Sequence, residues 1–234
     1  MIGIIGAMDV EIDEIKSRVE NKTIKTVSGR AFVVGQLNGR DVVVAQCGIG
    51  KVNAGICVQV LVDRFGVSHV INTGVAGSLD DRLDVGDLVV STDCVWHDFD
   101  VTPLGYRPGE IPGVGTINFP ADEGLREATL AAAAQVAPDI HAYAGCVVSG
   151  DQFIASAEQK NRITEGFGGM CCEMEGTAIA QAAWLNEVPF VVVRAISDKP
   201  GAADQVVDYN TFEEKAARDC ARIVGHMVTG ALTA

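Results

Sequence analysis

Apolar runs of four to eight residues, closed by glycine or by polar clusters, alternate along the chain with segments whose apolar residues recur at helical spacing. Met1–Met8 (MIGIIGAM) is a strand broken by small residues, and the acid-rich DVEIDEI after it sets Ile12 and Ile15 on one helical face. Residues 31–34 and 41–45 flank Leu37-Asn38-Gly39-Arg40, and the Asn-Gly pair predicts a hairpin, hence an antiparallel part in a mixed sheet. Glycine-rich Cys47–Ala54 turns into a helix ending near Phe65. A strand from His69 runs into a second glycine-rich bend, where Gly74 and Gly77 allow backbone to approach a ligand closely.

Val85–Ser91 and Ala144–Ser149 read as strands and Glu123–Ala137 as an alanine-rich helix. Residues 96–113 form a long Pro/Gly-rich excursion of the functional or interface-forming kind. Near Glu175 a helix opens and leads to the apolar strand Phe190–Val193, followed directly by Arg194, Ser197 and Asp198. The last helix is expected over Thr211–Val228, with Tyr209 just ahead of it. Strands and helices alternate without repeat or linker, so we expect one domain over residues 1–234. Its fold class is α/β: a three-layer α/β/α sandwich with a central mixed sheet.

Composition narrows the function. Hydrophobic residues are 48% of the chain and charged residues 21%, as in a globular protein with a substantial core. The net charge of -13 disfavours nucleic acid and anionic membranes as partners. No apolar run approaches the roughly 18 residues of a membrane span. The N-terminal run has no basic flank and meets Asp9 at once, unlike a secretory signal, so a cytoplasmic location is expected. The seven cysteines show no Cys-x-x-Cys spacing and no paired histidines, and read as reduced, buried thiols. His97, Asp98 and Asp100 crowd one loop, where such neighbours more often bond backbone; no metal or other cofactor is expected.

Candidate chemistry concentrates at strand ends, where open α/β sheets bind their ligands. Glu173 and Glu175 precede one such strand; Arg194, Ser197 and Asp198 follow it. Among Asp9, Glu11, Asp13 and Glu14, acids in a first helical turn serve the helix dipole, and Glu11 is singled out because it lies beside the sheet edge. Gly48-Ile-Gly-Lys51 lacks both common phosphate-loop spacings, leaving an anion cradle and a structural turn as alternatives. Phe153, just past a strand end, is either core or an aromatic surface for a flat ligand.

Six segments in order, Gly3-Ile-Ile-Gly-Ala-Met8, Gly48-Ile-Gly-Lys51, Asn72-Thr-Gly-Val-Ala-Gly77, Val148-Ser-Gly-Asp-Gln-Phe-Ile154, Glu173-Met-Glu-Gly-Thr-Ala178 and Val192-Val-Arg-Ala-Ile-Ser-Asp198, together resemble the 5'-methylthioadenosine/S-adenosylhomocysteine nucleosidases of the purine nucleoside phosphorylase superfamily. The resemblance implies a phosphorylase/nucleosidase-like fold and hydrolysis of 5'-substituted adenosines to adenine and the free sugar, as in methionine salvage. It also implies a homodimer in which the excursion around Val101–Pro112 reaches the neighbouring site. It assigns Asp198 as the acid on purine N7, Glu11 as the base that activates water, and Glu175 as the carboxylate on the ribose hydroxyls. Met174 would lie below the sugar, Arg194 would support the acidic cluster, Phe153 would stack on adenine, and Ile154 would bind the base edge through its backbone. Met8, Gly77, Glu173, Ser197 and Tyr209 complete the expected substrate site. Val75 departs from a small polar residue, and Leu104 and Tyr209 stand where several members carry phenylalanine, so the 5' substituent is left open.

Three other functions are weighed against this one. A phosphorylase would need a cationic pocket at the sugar face, where Glu11 would repel phosphate and only Lys51 and Arg194 offer positive charge. An aminofutalosine hydrolase would share the adenosine end. A non-catalytic nucleoside-binding protein would have to desolvate three acids around a neutral ligand for no gain.

Overall fold

The computed structural model describes residues 1–230. Its central strands are buried on both faces, which explains why they read as unbroken apolar runs. In β4 (Arg40–Gln46), Val42 and Val44 pack toward one helical layer while Val43 and Ala45 pack toward the other. The first layer holds α1 (Asp9–Arg18), α3 (Glu123–Val136) and α6 (Gln205–Gly230); the second holds α2 (Lys51–Phe65) and α5 (Gly176–Leu185). A smaller cluster around Leu79, Val148 and Ile163 seats α4 (Ala157–Phe167).

One mixed sheet runs β10–β6–β8–β9–β5–β1–β4–β3–β2. The strands are β1 (Ile2–Gly6), β2 (Glu20–Val27), β3 (Arg30–Leu37), β5 (His69–Ser78), β6 (Leu88–Trp96), β8 (Ala142–Ser149), β9 (Cys171–Glu173) and β10 (Phe190–Asp198), with short β7 (Phe119–Pro120) on β6. β1 pairs in parallel with β4 and β5, and β3 pairs antiparallel with β2 and β4. Because β10 also pairs in parallel with β5, the circuit β10–β6–β8–β9–β5 closes on itself. The register of that circuit sets Gly77 beside both Cys172 and Asp198, and Ser149 beside Glu173.

The expected three-layer α/β/α sandwich with a mixed sheet is the observed fold. Several element bounds differ, β6 running Leu88–Trp96 rather than 85–91. β5 continues through Gly74 and Gly77 to Ser78 without a bend, because β10 and β9 pair with it over that length. β10 extends to Asp198, so Arg194, Ser197 and Asp198 belong to the strand rather than following it. Glu173 ends a three-residue strand, and only Glu175 stands at the N-cap of the following helix. The last helix begins at Gln205, which puts Tyr209 inside it.

Candidate active site

β1 ends against α1, and the turn between them is held by Glu11 itself. Its Oε2 accepts from the N–H groups of Ala7 (2.7 Å) and Met8 (3.0 Å), and its Oε1 from the N–H of Val75 on β5 (3.1 Å). Met8 is the N-cap of α1, so the side chain three residues into the helix reaches back to satisfy it. The helix-end and active-site readings of Glu11 are therefore compatible. Asp9 and Asp13 instead share Lys16 at the surface. Burial pushes the Glu11 carboxyl upward; the Arg194 charge and the three N–H donors oppose it without cancelling it.

The short strand β9 delivers the second acid. Glu173 is buried and saturated: Oε2 accepts from the N–H of Glu175 (3.0 Å) and of Gly176 (2.7 Å) and from Arg194, while Oε1 accepts from Ser149. Burial alone would raise its pKa, but the guanidinium and these donors bring it below the usual carboxylate value. Arg194 is 2% exposed and spans Glu173 and Asn72, donating to Asn72 Oδ1 at 2.5 Å. A strand bearing Arg194 can pass so close to Glu11 because residue 74 is glycine. A Cβ there would collide with Glu11 Oε1 and stand 2.7 Å from Arg194 Nη1.

Glu175 sits two residues further on, its Oε1 accepting only the N–H of Gly50 at 2.7 Å. Burial, followed by repulsion from Glu173, pushes this carboxyl up to about 8. Gly50 adopts φ 95° as N-cap of α2, a region costly for a residue with a side chain. At that helix start the N–H of Gly50 serves Glu175 and the N–H of Lys51 serves Asp151 Oδ1 at 2.9 Å. The Lys51 ammonium is held at 2.6 Å by Asp98 and lies over the Trp96 ring at 4.7 Å. Within the Gly48–Lys51 turn, the N–H groups of Gly48, Gly50 and Lys51 thus bond the Ala7 carbonyl, Glu175 and Asp151.

Across the site, Asp198 at the end of β10 accepts Ser197 Oγ (2.7 Å) on Oδ1 and Gln205 Nε2 (2.8 Å) on Oδ2. Burial raises its pKa, and these two neutral donors only partly counter that. Glu11, Glu175 and Asp198 line one cavity together with Met8, Gly77, Phe153, Glu173, Met174, Ser197 and Tyr209. Two expected residues stand outside its lining. Arg194 lies behind Glu173, and the Ile154 side chain packs into the smaller core while its carbonyl takes Gln205 Nε2 at 2.8 Å. Phe153 is half exposed and meets Tyr209 edge-on, ring centroids 5.6 Å apart. Val75, the departure from a polar residue, faces the same cavity.

Sequence reading missed Asn72, Ser149, Thr177 and Gln205. The Thr177 hydroxyl donates to the Val95 carbonyl and its backbone N–H to Ser149 Oγ, fixing the hydroxyl that serves Glu173. Asn72 and Ser149 carried a usable signal, since a polar residue inside an apolar strand must find a partner. Gln205 carried none.

The fold and site define a chain of the phosphorylase superfamily, whose family model matches residues 1–229. The 5'-methylthioadenosine/S-adenosylhomocysteine nucleosidase of Staphylococcus aureus (strain bovine RF122 / ET3-1) is 41% identical over 230 residues, covering 98% of this chain and 99% of its own. Within the superfamily, the chain belongs to the family of 5'-methylthioadenosine/S-adenosylhomocysteine nucleosidases. Among solved structures, such a nucleosidase from Colwellia psychrerythraea 34H in complex with adenine is 38% identical with a TM-score of 0.92, covering 97% of this chain and 93% of that one. The futalosine hydrolase of Helicobacter pylori strain 26695 is 31% identical with a TM-score of 0.90, covering 97% and 96%.

Proposed function

We propose that the protein hydrolyses the N-glycosidic bond of 5'-substituted adenosines, 5'-methylthioadenosine, S-adenosylhomocysteine and 5'-deoxyadenosine among them, to adenine and the free 5'-substituted ribose. The observation that carries this is one cavity lined by four buried carboxylates with different partners, Glu11, Glu173, Glu175 and Asp198, whose neighbouring cations are already engaged by acids. As the C1'–N9 bond breaks, its electron pair passes to the base and positive charge develops on the sugar. Asp198, raised by burial, gives its proton to purine N7. Glu11, held by three N–H donors, takes a proton from the water that adds to C1'. Glu175 accepts from, and when protonated donates to, the ribose hydroxyls. Met174 underlies the sugar, Phe153 stacks on adenine, and Ile154 meets the base edge through its backbone.

Water is favoured over phosphate because the sugar side is acidic. Lys51 is held by Asp98 and Arg194 by Glu173, so an incoming dianion would meet Glu11 and Glu175 first. The likeness to a futalosine hydrolase supports one second reading, in which the tail at C5' is that of aminofutalosine. Rates of adenine release from the four nucleosides rank the tails, and release from none of them contradicts the proposal.

A cytoplasmic homodimer acting in methionine salvage completes the reading. Val52 and Ile56 stand one turn apart on α2, and together with Trp184, Leu104 and Tyr106 they are exposed apolar residues suited to a second copy of the chain. Sedimentation at micromolar concentration should give twice the chain mass; a monomer throughout contradicts this part.

A further inference from the structure

Gln205, the first residue of α6, is 3% exposed and fully paired. Its Nε2 donates to the Ile154 carbonyl and to Asp198 Oδ2, both at 2.8 Å, and its Oε1 accepts from the N–H of Gly201 at 3.1 Å. Two acceptors from separate parts of the fold, the loop after β8 and the end of β10, thus converge on a single NH2 group. Adenine carries an NH2 group beside N7 on one edge. A purine placed with N7 at Asp198 and its edge along the Ile154 backbone directs that amine at the same two acceptors.

The surrounding geometry agrees. The cavity measures about 90 Å³, against roughly 300–1,000 Å³ for typical small-molecule sites. One helical turn beyond Gln205, Tyr209 lies edge-on to Phe153, the ring proposed to stack on the base. Tyr209 is thus the α6 residue that narrows the cavity, while Gln205 is buried behind it on the two base acceptors.

We infer that Gln205 is an internal surrogate for the purine amine: its carboxamide holds the base subsite until a 6-aminopurine displaces it along with the first turn of α6. The inference rests on the reading of Asp198 and Ile154 as the base-binding pair. Exchange of one NH2 donor for another leaves both acceptors satisfied, and the Gly201 N–H left behind is exposed to water. A 6-oxopurine brings a carbonyl oxygen toward two oxygen acceptors and cannot complete the exchange. With Ser197 on Oδ1 and Gln205 on Oδ2, both Asp198 oxygens accept hydrogen bonds, and the incoming amine takes over Oδ2 from Gln205.

Calorimetric titration of adenine and of hypoxanthine into the wild-type chain and into Gln205→Met, which keeps length but cannot donate, tests this. Adenine should bind about tenfold more tightly to the variant, a gain of about 1.4 kcal/mol, with no gain for hypoxanthine. Unchanged or weaker adenine binding shows that Gln205 does not compete and overturns the inference. An equal gain for both bases shows a merely loosened helix and also overturns it. In the wild-type chain, the Gln205 side-chain amide signals in a proton–nitrogen NMR spectrum should move when adenine is added. Unmoved signals with adenine bound overturn the inference even where the variant does not fold. Adenine failing to bind the wild-type chain at all overturns the base-site reading itself, and this inference with it.

Discussion

Glu173 and Glu175 are separated by a single residue, yet their carboxyls are driven in opposite directions: Arg194, Ser149 and two backbone N–H groups hold Glu173 low, while burial and Glu173 itself push Glu175 up to about 8. The pair behaves as one fixed charge beside one titrating acid. Glu173→Gln should leave the Arg194 guanidinium buried without its counter-charge. Removing one partner of such a pair costs about 3–5 kcal/mol, which urea unfolding would report; an undiminished midpoint would show that Asn72 and Glu11 suffice to hold the arginine.

Glu175 links stability to pH. Its folded-state value lies above the ordinary 4.5, so the folded chain binds this proton more tightly than the unfolded one. That contribution is fully present below pH 4.5 and is lost as pH rises through about 8. Glu175→Gln keeps an oxygen for the Gly50 N–H and removes the titration. The variant should be the more stable protein at pH 9 by about 1–2 kcal/mol, a Tm gain of roughly 2–8 °C, with no gain at pH 4.5. Thermal scans across that range check it.

Gly74→Ala places a methyl group against the Glu11 and Arg194 heads together. Neither can retreat without giving up a partner named above, so we expect a loss of about 1–3 kcal/mol and a larger proportional loss of adenine release. An active, equally stable variant would mean that β5 and β10 can part locally.

Glu11→Gln and Asp198→Asn should both fold and lose turnover by roughly 10²–10⁴. In Glu11→Gln the new carboxamide would also face one N–H with its own NH2, since all three present partners of Glu11 are donors. A small further stability loss is expected there and not in Asp198→Asn. Single-turnover adenine release, compared with unfolding midpoints, separates the two effects.

The two helical layers and the longer parallel strands were legible in the sequence because both sheet faces are covered and the apolar runs are correspondingly clean; three-residue β9 was not. β2 was not, because seven of its eight residues are exposed at the sheet edge and no apolar alternation marks it. β10 was cut short for the opposite reason: all nine residues are buried, but Arg194, Ser197 and Asp198 break the apolar pattern. Charge inside a buried strand is tolerated only with partners from outside that strand's apolar run, Glu173 and Asn72 for Arg194, and Gln205 in the helix that follows for Asp198. The acids of the site could be read from motif order. What each of them bonds to could not, since Gly50, Ser149 and Gln205 are brought in by the start of α2, the closed strand circuit and the start of α6.

The most direct test of the account is where the new oxygen on the sugar comes from. Adenine release from 5'-methylthioadenosine in 18O-labelled water containing phosphate should give a free reducing sugar with the label at C1', at a rate independent of phosphate. An unlabelled sugar 1-phosphate, formed only when phosphate is present, would contradict the role given to Glu11 and make the protein a phosphorylase.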